Sequence, residues 1–304
     1  MTANLAVRQA RSRLGRVGVG LAFPPVPAEV WRREMARMEK VGYRSAWTNE
    51  GVGGKETFTT LGIALAATET LVLGTGIANI WARHPATMRA AAATLAEAYP
   101  GRLVLGVGVS HRPLVEASGQ TFGKPLETQR TYLERMAASG AETVQPATPF
   151  PTIVGAIGPK MLGLSRDHAD GAMPANLPVA HTEWARKLLG PDKLLVVGVS
   201  AIPDEDGARA RDTARQSPLM RLPNSPHLRV LPELGYAEDD LAGGGSDRLI
   251  DDMYAHGSPD AIAARAREHL DAGADHVVMF PPYGSEPAAQ CDQLEYLAPA
   301  LTRL

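Results

Sequence analysis

Eight short apolar runs recur along this chain, most of them about thirty residues apart, with helix-spaced stretches between them. No other feature of the sequence restricts the fold as much. The runs cover residues 16–23, 44–48, 71–78, 103–109, 152–156, 171–174, 194–202 and 276–280. Between them, residues 28–41, 55–68, 86–99, 125–139, 159–168 and 258–272 have the apolar spacing or the start and stop residues of helices. The last of these begins Ser258-Pro259 and ends at Gly273, an N-cap, a proline at the first helical position and a glycine past the end. Eight strands alternating with helices point to an α/β fold of the (β/α)8 TIM-barrel type. A doubly wound sheet is the alternative arrangement of the same units.

With 304 residues the chain has room for one such barrel, and residues 1–304 are expected to form a single domain. Two segments break the rhythm. Residues 203–257 contain several prolines, the acidic GYAEDD and the flexible GGGSD, so an insertion is expected between the seventh and eighth strands. Within it, Tyr236, Asp239 and Asp240 would either cover a pocket or solvate a surface. Residues 1–14 carry Arg8, Arg11 and Arg13 and are expected to form a frayed basic tail. The apolar VGVGLAF that follows holds two glycines and soon meets three prolines, which argues against a signal core or a membrane span.

The formal charge of -2 gives no electrostatic basis for binding nucleic acid or an anionic membrane. A single cysteine, Cys291, rules out an internal disulfide, and no Cys/His spacing matches a metal site; a cytoplasmic location is expected.

In a (β/α)8 barrel the chemistry sits at the C-terminal ends of the strands. Those ends read Phe23-Pro24, Asn49-Glu50, Ala78-Asn79, Ser110-His111, Ala156-Ile157-Gly158, Met173 and Pro281-Pro282-Tyr283. Glu50 and His111 are the titratable groups best placed there for proton transfer. His84, ahead of a proline, and His168 read equally well as capping or packing residues, and His276 as structural. The motif GxG occurs at 18–20, 74–76 and 106–108 but never extends to GxGxxG, so a Rossmann dinucleotide site is not expected. Segment 155–160, GAIGPK, ends a strand in small residues and opens a helix with proline, which leaves backbone N–H groups for an anion such as phosphate. A plain turn into a helix accounts for it equally well.

The segments RSAWTNEG, LVLGTGIANIWARHPATMRAAAATLAEAYPGRLVLGVGVS, GAIGPKMLGLSRDHADGAMP and AGADHVVMFP together resemble the bacterial-luciferase-like superfamily, in particular its oxidoreductases that use the deazaflavin coenzyme F420. The likeness covers most of residues 16–200 and the C-terminal quarter. It implies a barrel, often homodimeric, that moves a hydride between the deazaflavin and a small organic substrate. It also implies a non-prolyl cis peptide at Gly76-Ile77, forming a bulge behind the deazaflavin ring. Trp47, Asn49, Ala78 and Asn79 would surround that ring, with Val109 and Ser110 near the tail. Ala156, Ile157 and Gly158 would hold the phosphate, Lys160 would add charge, and Met173 falls among the cofactor contacts. Members that oxidise glucose 6-phosphate carry a histidine and a glutamate where this chain has Glu50 and His111, so the two residue types are exchanged and that substrate is not expected. An FMN-dependent monooxygenase of the same superfamily, or a barrel that binds a flavin without catalysis, is the alternative.

Overall fold

The computed structural model describes residues 2–221, 225–282 and 284–304; Tyr283 lies outside them. Its strands are β1 (Val17–Leu21), β2 (Ser45–Thr48), β3 (Val72–Thr75), β4 (Ala78–Asn79), β5 (Leu103–Gly108), β6 (Thr152–Val154), β7 (Gly171–Ala172), β8 (Leu194–Ile202), β9 (Ala255–His256) and β10 (His276–Phe280). All pairings are parallel, and the order β10-β1-β2-β3-β5-β6-β7-β8 closes on itself where His276 pairs with Val196. Eight staves therefore make the expected barrel, with β3 and β4 sharing the third. β9 only extends the far end of β8, pairing Ala255 with Ala201. The strands are almost wholly buried, as a sheet covered by helices on one side and filled by its own side chains on the other requires.

The interior is filled by pairing large side chains with glycines. A Cβ on Gly74 would lie 2.2 Å from the Trp47 indole, and one on Gly108 would lie 2.9 Å from Ile77. The second and third GxG pairs thus make room for interior side chains, a packing role of the same kind as the first pair, where Gly20 faces the Phe280 ring.

The N-terminal segment differs from its expectation. Thr2–Leu14 is a helix, and Val7, Ala10 and Leu14 are buried in one cluster with Trp47, Val72, Val104, Ile153, Leu194, Val196 and Val278. It closes the floor of the barrel. Its arginines fasten it: Arg11 pairs with Asp275 at 2.8 Å and donates to the carbonyls of Pro191 and Lys193. The apolar stripe is only Ala6, Val7, Ala10 and Leu14 beside three arginines, too little to mark a packed helix until a barrel floor lies beneath it.

The insertion has an apolar cluster of its own. Ala210, Ala214, Met220, Leu231, Leu249, Ile250, Met253 and Tyr254 gather against Ile202 at the end of β8. Tyr236 is buried in that cluster and donates to Asp252 at 2.7 Å, while Asp240 accepts from Ser246 and from the Ala237 N–H. Those two side chains brace the insertion, and Asp239 faces solvent. Helices at Val179–Leu189 and Pro287–Leu301, which the sequence pattern left unassigned, complete the outer layer.

Candidate functional site

At the end of the third stave the chain leaves the ladder, and the Gly76-Ile77 peptide bond is cis, as the resemblance implied. Gly76 N–H donates to the Thr48 carbonyl at 2.7 Å, and Glu50 N–H donates to the Ile77 carbonyl at 3.1 Å. The chain then rejoins β5 through Ala78 opposite Val107. Where the ladder is interrupted, the Thr75 hydroxyl replaces it, donating to the Gly106 carbonyl at 2.6 Å and accepting the Gly106 N–H at 2.8 Å. The result is a small shelf, Gly76-Ile77, half-buried at the open end of the barrel.

Glu50 secures this shelf. Its Oε2 accepts the Asn79 N–H at 2.8 Å and Nη1 of Arg83 at 2.8 Å, while its Oε1 accepts Nη2 of Arg83. The Glu50 side chain is 3% exposed and that of Arg83 is 10% exposed. Both oxygens are therefore occupied by donors in a nearly dry place, and the carboxylate has no open position for a substrate proton. Glu50, expected as a proton-transfer group, has the contacts of a clamp in this arrangement. Arg83 also meets Glu56 at 2.8 Å and lies over the Phe58 ring. The arginine in ARHP is the partner that sequence alone did not reveal: it reads only as a basic residue in a loop until the fold brings it across to Glu50.

The residues expected around a cofactor separate into two groups. Trp47, Ala78 and Asn79 are buried. The Trp47 indole stacks on His276 at 5.8 Å and donates to its Nε2 at 3.2 Å, so it supports the shelf from inside the barrel. The Asn79 carboxamide accepts the Trp81 N–H at 3.1 Å. Met173 is buried beneath Gly76. By contrast Val109, Ser110, His111, Ile157 and Gly158 are half-buried at the mouth, and Asn49 and Lys160 are exposed. Ser110 has φ 59°, a left-handed turn that carries the chain off the end of β5 towards His111.

His111 starts the helix Arg112–Ala117 but makes no capping bond with its side chain. Burial holds its pKa below the ordinary histidine value of 6.5, so it is neutral at neutral pH. Its ring lies 6.3 Å from that of His227, which the insertion supplies. His227 itself is buried, bonded to Ser225 Oγ at 3.2 Å and to the Ala175 backbone, with burial pushing its pKa down to about 3. His111 thus has a neutral neighbour, and of the two it is the one open to the mouth. Two more histidines have structural places: His84 Nδ1 accepts the Ala86 N–H at 3.2 Å, and His276 is sealed in the barrel.

Opposite the shelf lies the turn 155–158. Gly158 is the N-cap of the helix Pro159–His168, with no side-chain cap, and the space around its Cα is open. A Cβ on Gly155 would lie 3.1 Å from Ile77, so turn and shelf are in direct contact. An uncapped helix start with an open glycine fits an anion, and the adjoining apolar shelf fits a flat ring. Among the described residues no group of three or more side chains is arranged to hold a metal, and no helix is long and apolar enough to cross a membrane.

Residues 15–276 match the family described as luciferase-like monooxygenase. The 5,10-methylenetetrahydromethanopterin reductase of Methanolobus tindarius is 26% identical over 308 residues, covering 87% of this chain and 94% of that one. The same enzyme from Archaeoglobus fulgidus is 27% identical, covering 82% and 88%. Among solved structures, an F420-dependent secondary alcohol dehydrogenase in complex with an F420-acetone adduct superposes with a TM-score of 0.74 at 17% identity, covering 94% of this chain and 99% of that one.

Proposed function

We propose that this chain, which belongs to the luciferase-like monooxygenase family, is an F420-dependent oxidoreductase that exchanges a hydride between the deazaflavin and a small organic substrate. The observation that carries the reading is the contact, made at Gly155, between an apolar shelf at Gly76-Ile77 and the turn that runs into an uncapped helix start at Gly158, which together suit a flat ring joined to a phosphate. The relatives that match over most of this chain are named as reductases, and the superposed dehydrogenase is named for F420.

When bound, F420 supplies a two-electron carrier whose ring accepts or gives a hydride. The chain supplies the rest. Gly76 and Ile77 offer the shelf, and Glu50 with Arg83 holds it in place. Ala156, Ile157 and Gly158 present backbone N–H groups to the phosphate, with Lys160 nearby in sequence as an exposed cation. His111, neutral and open to the mouth, takes or returns the proton that accompanies the hydride at the substrate oxygen or nitrogen. We read residues 1–304 as one catalytic unit, acting in the cytoplasm as a homodimer, with the 203–257 insertion covering the substrate side through His227.

The test is a fluorescence titration of the apoprotein with F420 and with FMN, followed by hydride transfer from reduced F420 to carbonyl and imine substrates. Tight F420 binding with turnover supports the reading. Binding of FMN in preference to F420 would favour a flavin monooxygenase, and binding without any hydride exchange a non-catalytic barrel.

A further inference from the structure

The turn at 155–158 is held by a residue that the sequence did not single out. His181 lies in the first turn of Val179–Leu189, the helix after β7, and is 1% exposed. Its Nε2 is 2.8 Å from the Ile157 carbonyl oxygen, and Trp184 meets the ring edge-on at 5.3 Å. A carbonyl only accepts, so Nε2 carries the hydrogen, and Nδ1 is the bare nitrogen. Burial holds the imidazole neutral, with its pKa down to about 4. The buried Nδ1 has no hydrogen-bond partner. An apolar side chain of that size would fill the space without leaving a polar atom unpaired, so packing alone does not account for a histidine here.

What the bond to Ile157 does follows from peptide geometry. In a planar trans peptide the C=O of one residue and the N–H of the next point in opposite directions. With the Ile157 carbonyl turned towards His181, the Gly158 N–H is turned away from it, at the residue where the helix begins and the space is open. We propose that His181 is a positioning residue for phosphate recognition: by holding the Ile157 carbonyl it aims the Gly158 N–H at the phosphate of the cofactor, and so sets affinity for the phosphorylated tail but not for the ring. This rests on the cofactor reading above.

The experiment compares two ligands that share the ring, F420 and the phosphate-free 8-hydroxy-5-deazariboflavin, by fluorescence titration of the wild type and of His181→Leu, His181→Asn and His181→Gln. Removing the donor with Leu, or withdrawing it with the shorter Asn, weakens F420 on the order of tenfold, the size of one hydrogen bond to a charged group. Binding of 8-hydroxy-5-deazariboflavin stays within about twofold by the same count, which also shows that the variants are folded. Gln, whose amide reaches the place of Nε2, recovers most of the F420 affinity. Equal losses for both ligands, or no loss for either, overturn the positioning role while leaving the cofactor reading intact. A wild type that binds neither ligand overturns both.

Discussion

Replacing Glu50 by Gln separates a clamp from a proton donor. In the wild type each carboxylate oxygen faces donors: Oε1 faces Arg83, and Oε2 faces Arg83 and the Asn79 N–H. Glutamine keeps one oxygen and turns an NH2 towards a donor on the other side, so one contact becomes repulsive and the Arg83 charge loses its main partner. Breaking a buried ion pair by removing one member costs about 3–5 kcal/mol. Glu56 remains 2.8 Å from Arg83, but it is 49% exposed and compensates only in part. The expected loss of stability is therefore at the lower end, about 3 kcal/mol, or on the order of a hundredfold in the ratio of folded to unfolded chain. Urea denaturation measures it. Because the same side chain anchors the Asn79 N–H next to the shelf, F420 affinity falls with stability, and the pH dependence of turnover keeps its shape. Reduced turnover with stability and affinity both unchanged would refute the clamp and restore Glu50 as a proton-transfer group.

Four further outcomes are expected. His111→Phe lowers kcat by about 10²–10⁴ with F420 affinity little changed, measured by steady-state kinetics beside the titration. In the oxidative direction, with F420 as hydride acceptor, His111 takes the substrate proton and must be neutral; because burial holds its pKa below 6.5, kcat/KM in that direction is level through neutral pH and declines only on the acid side of 6.5. His276, fully enclosed and accepting from Trp47, has its pKa lowered to about 4. The unfolded chain then binds the extra proton first, so stability is full above pH 6.5 and falls by roughly 3 kcal/mol as the pH drops to 4, visible in urea midpoints across that window. Leu14→Ala opens a cavity in the barrel floor and costs about 2–5 kcal/mol in the same assay, whereas a frayed tail would give no change.

Much of this protein can be read from one dimension. The spacing of apolar runs specified strand and helix alternation, because a buried parallel strand must be apolar on both faces and its crossover helix must be apolar on one. The Pro159 helix start was equally local, as it depends on what a short stretch of backbone can do. The insertion was visible as a loss of rhythm.

What only the tertiary structure decided is which groups meet. Glu50 and His111 looked alike in sequence, each a titratable residue past a strand. Arg83, 33 positions away, occupies Glu50, while among the described residues no comparable ion-pair partner is seen at His111, which meets instead a neutral histidine brought in by the insertion. Trp47, expected beside a ring, stacks on His276 inside the barrel, and the arginine-rich N-terminus became a floor once Val7, Ala10 and Leu14 had a barrel to cover. The reason is common to all three. Backbone propensity and periodicity act over a few residues, whereas burial and charge pairing depend on neighbours that closing the barrel brings together from distant parts of the chain.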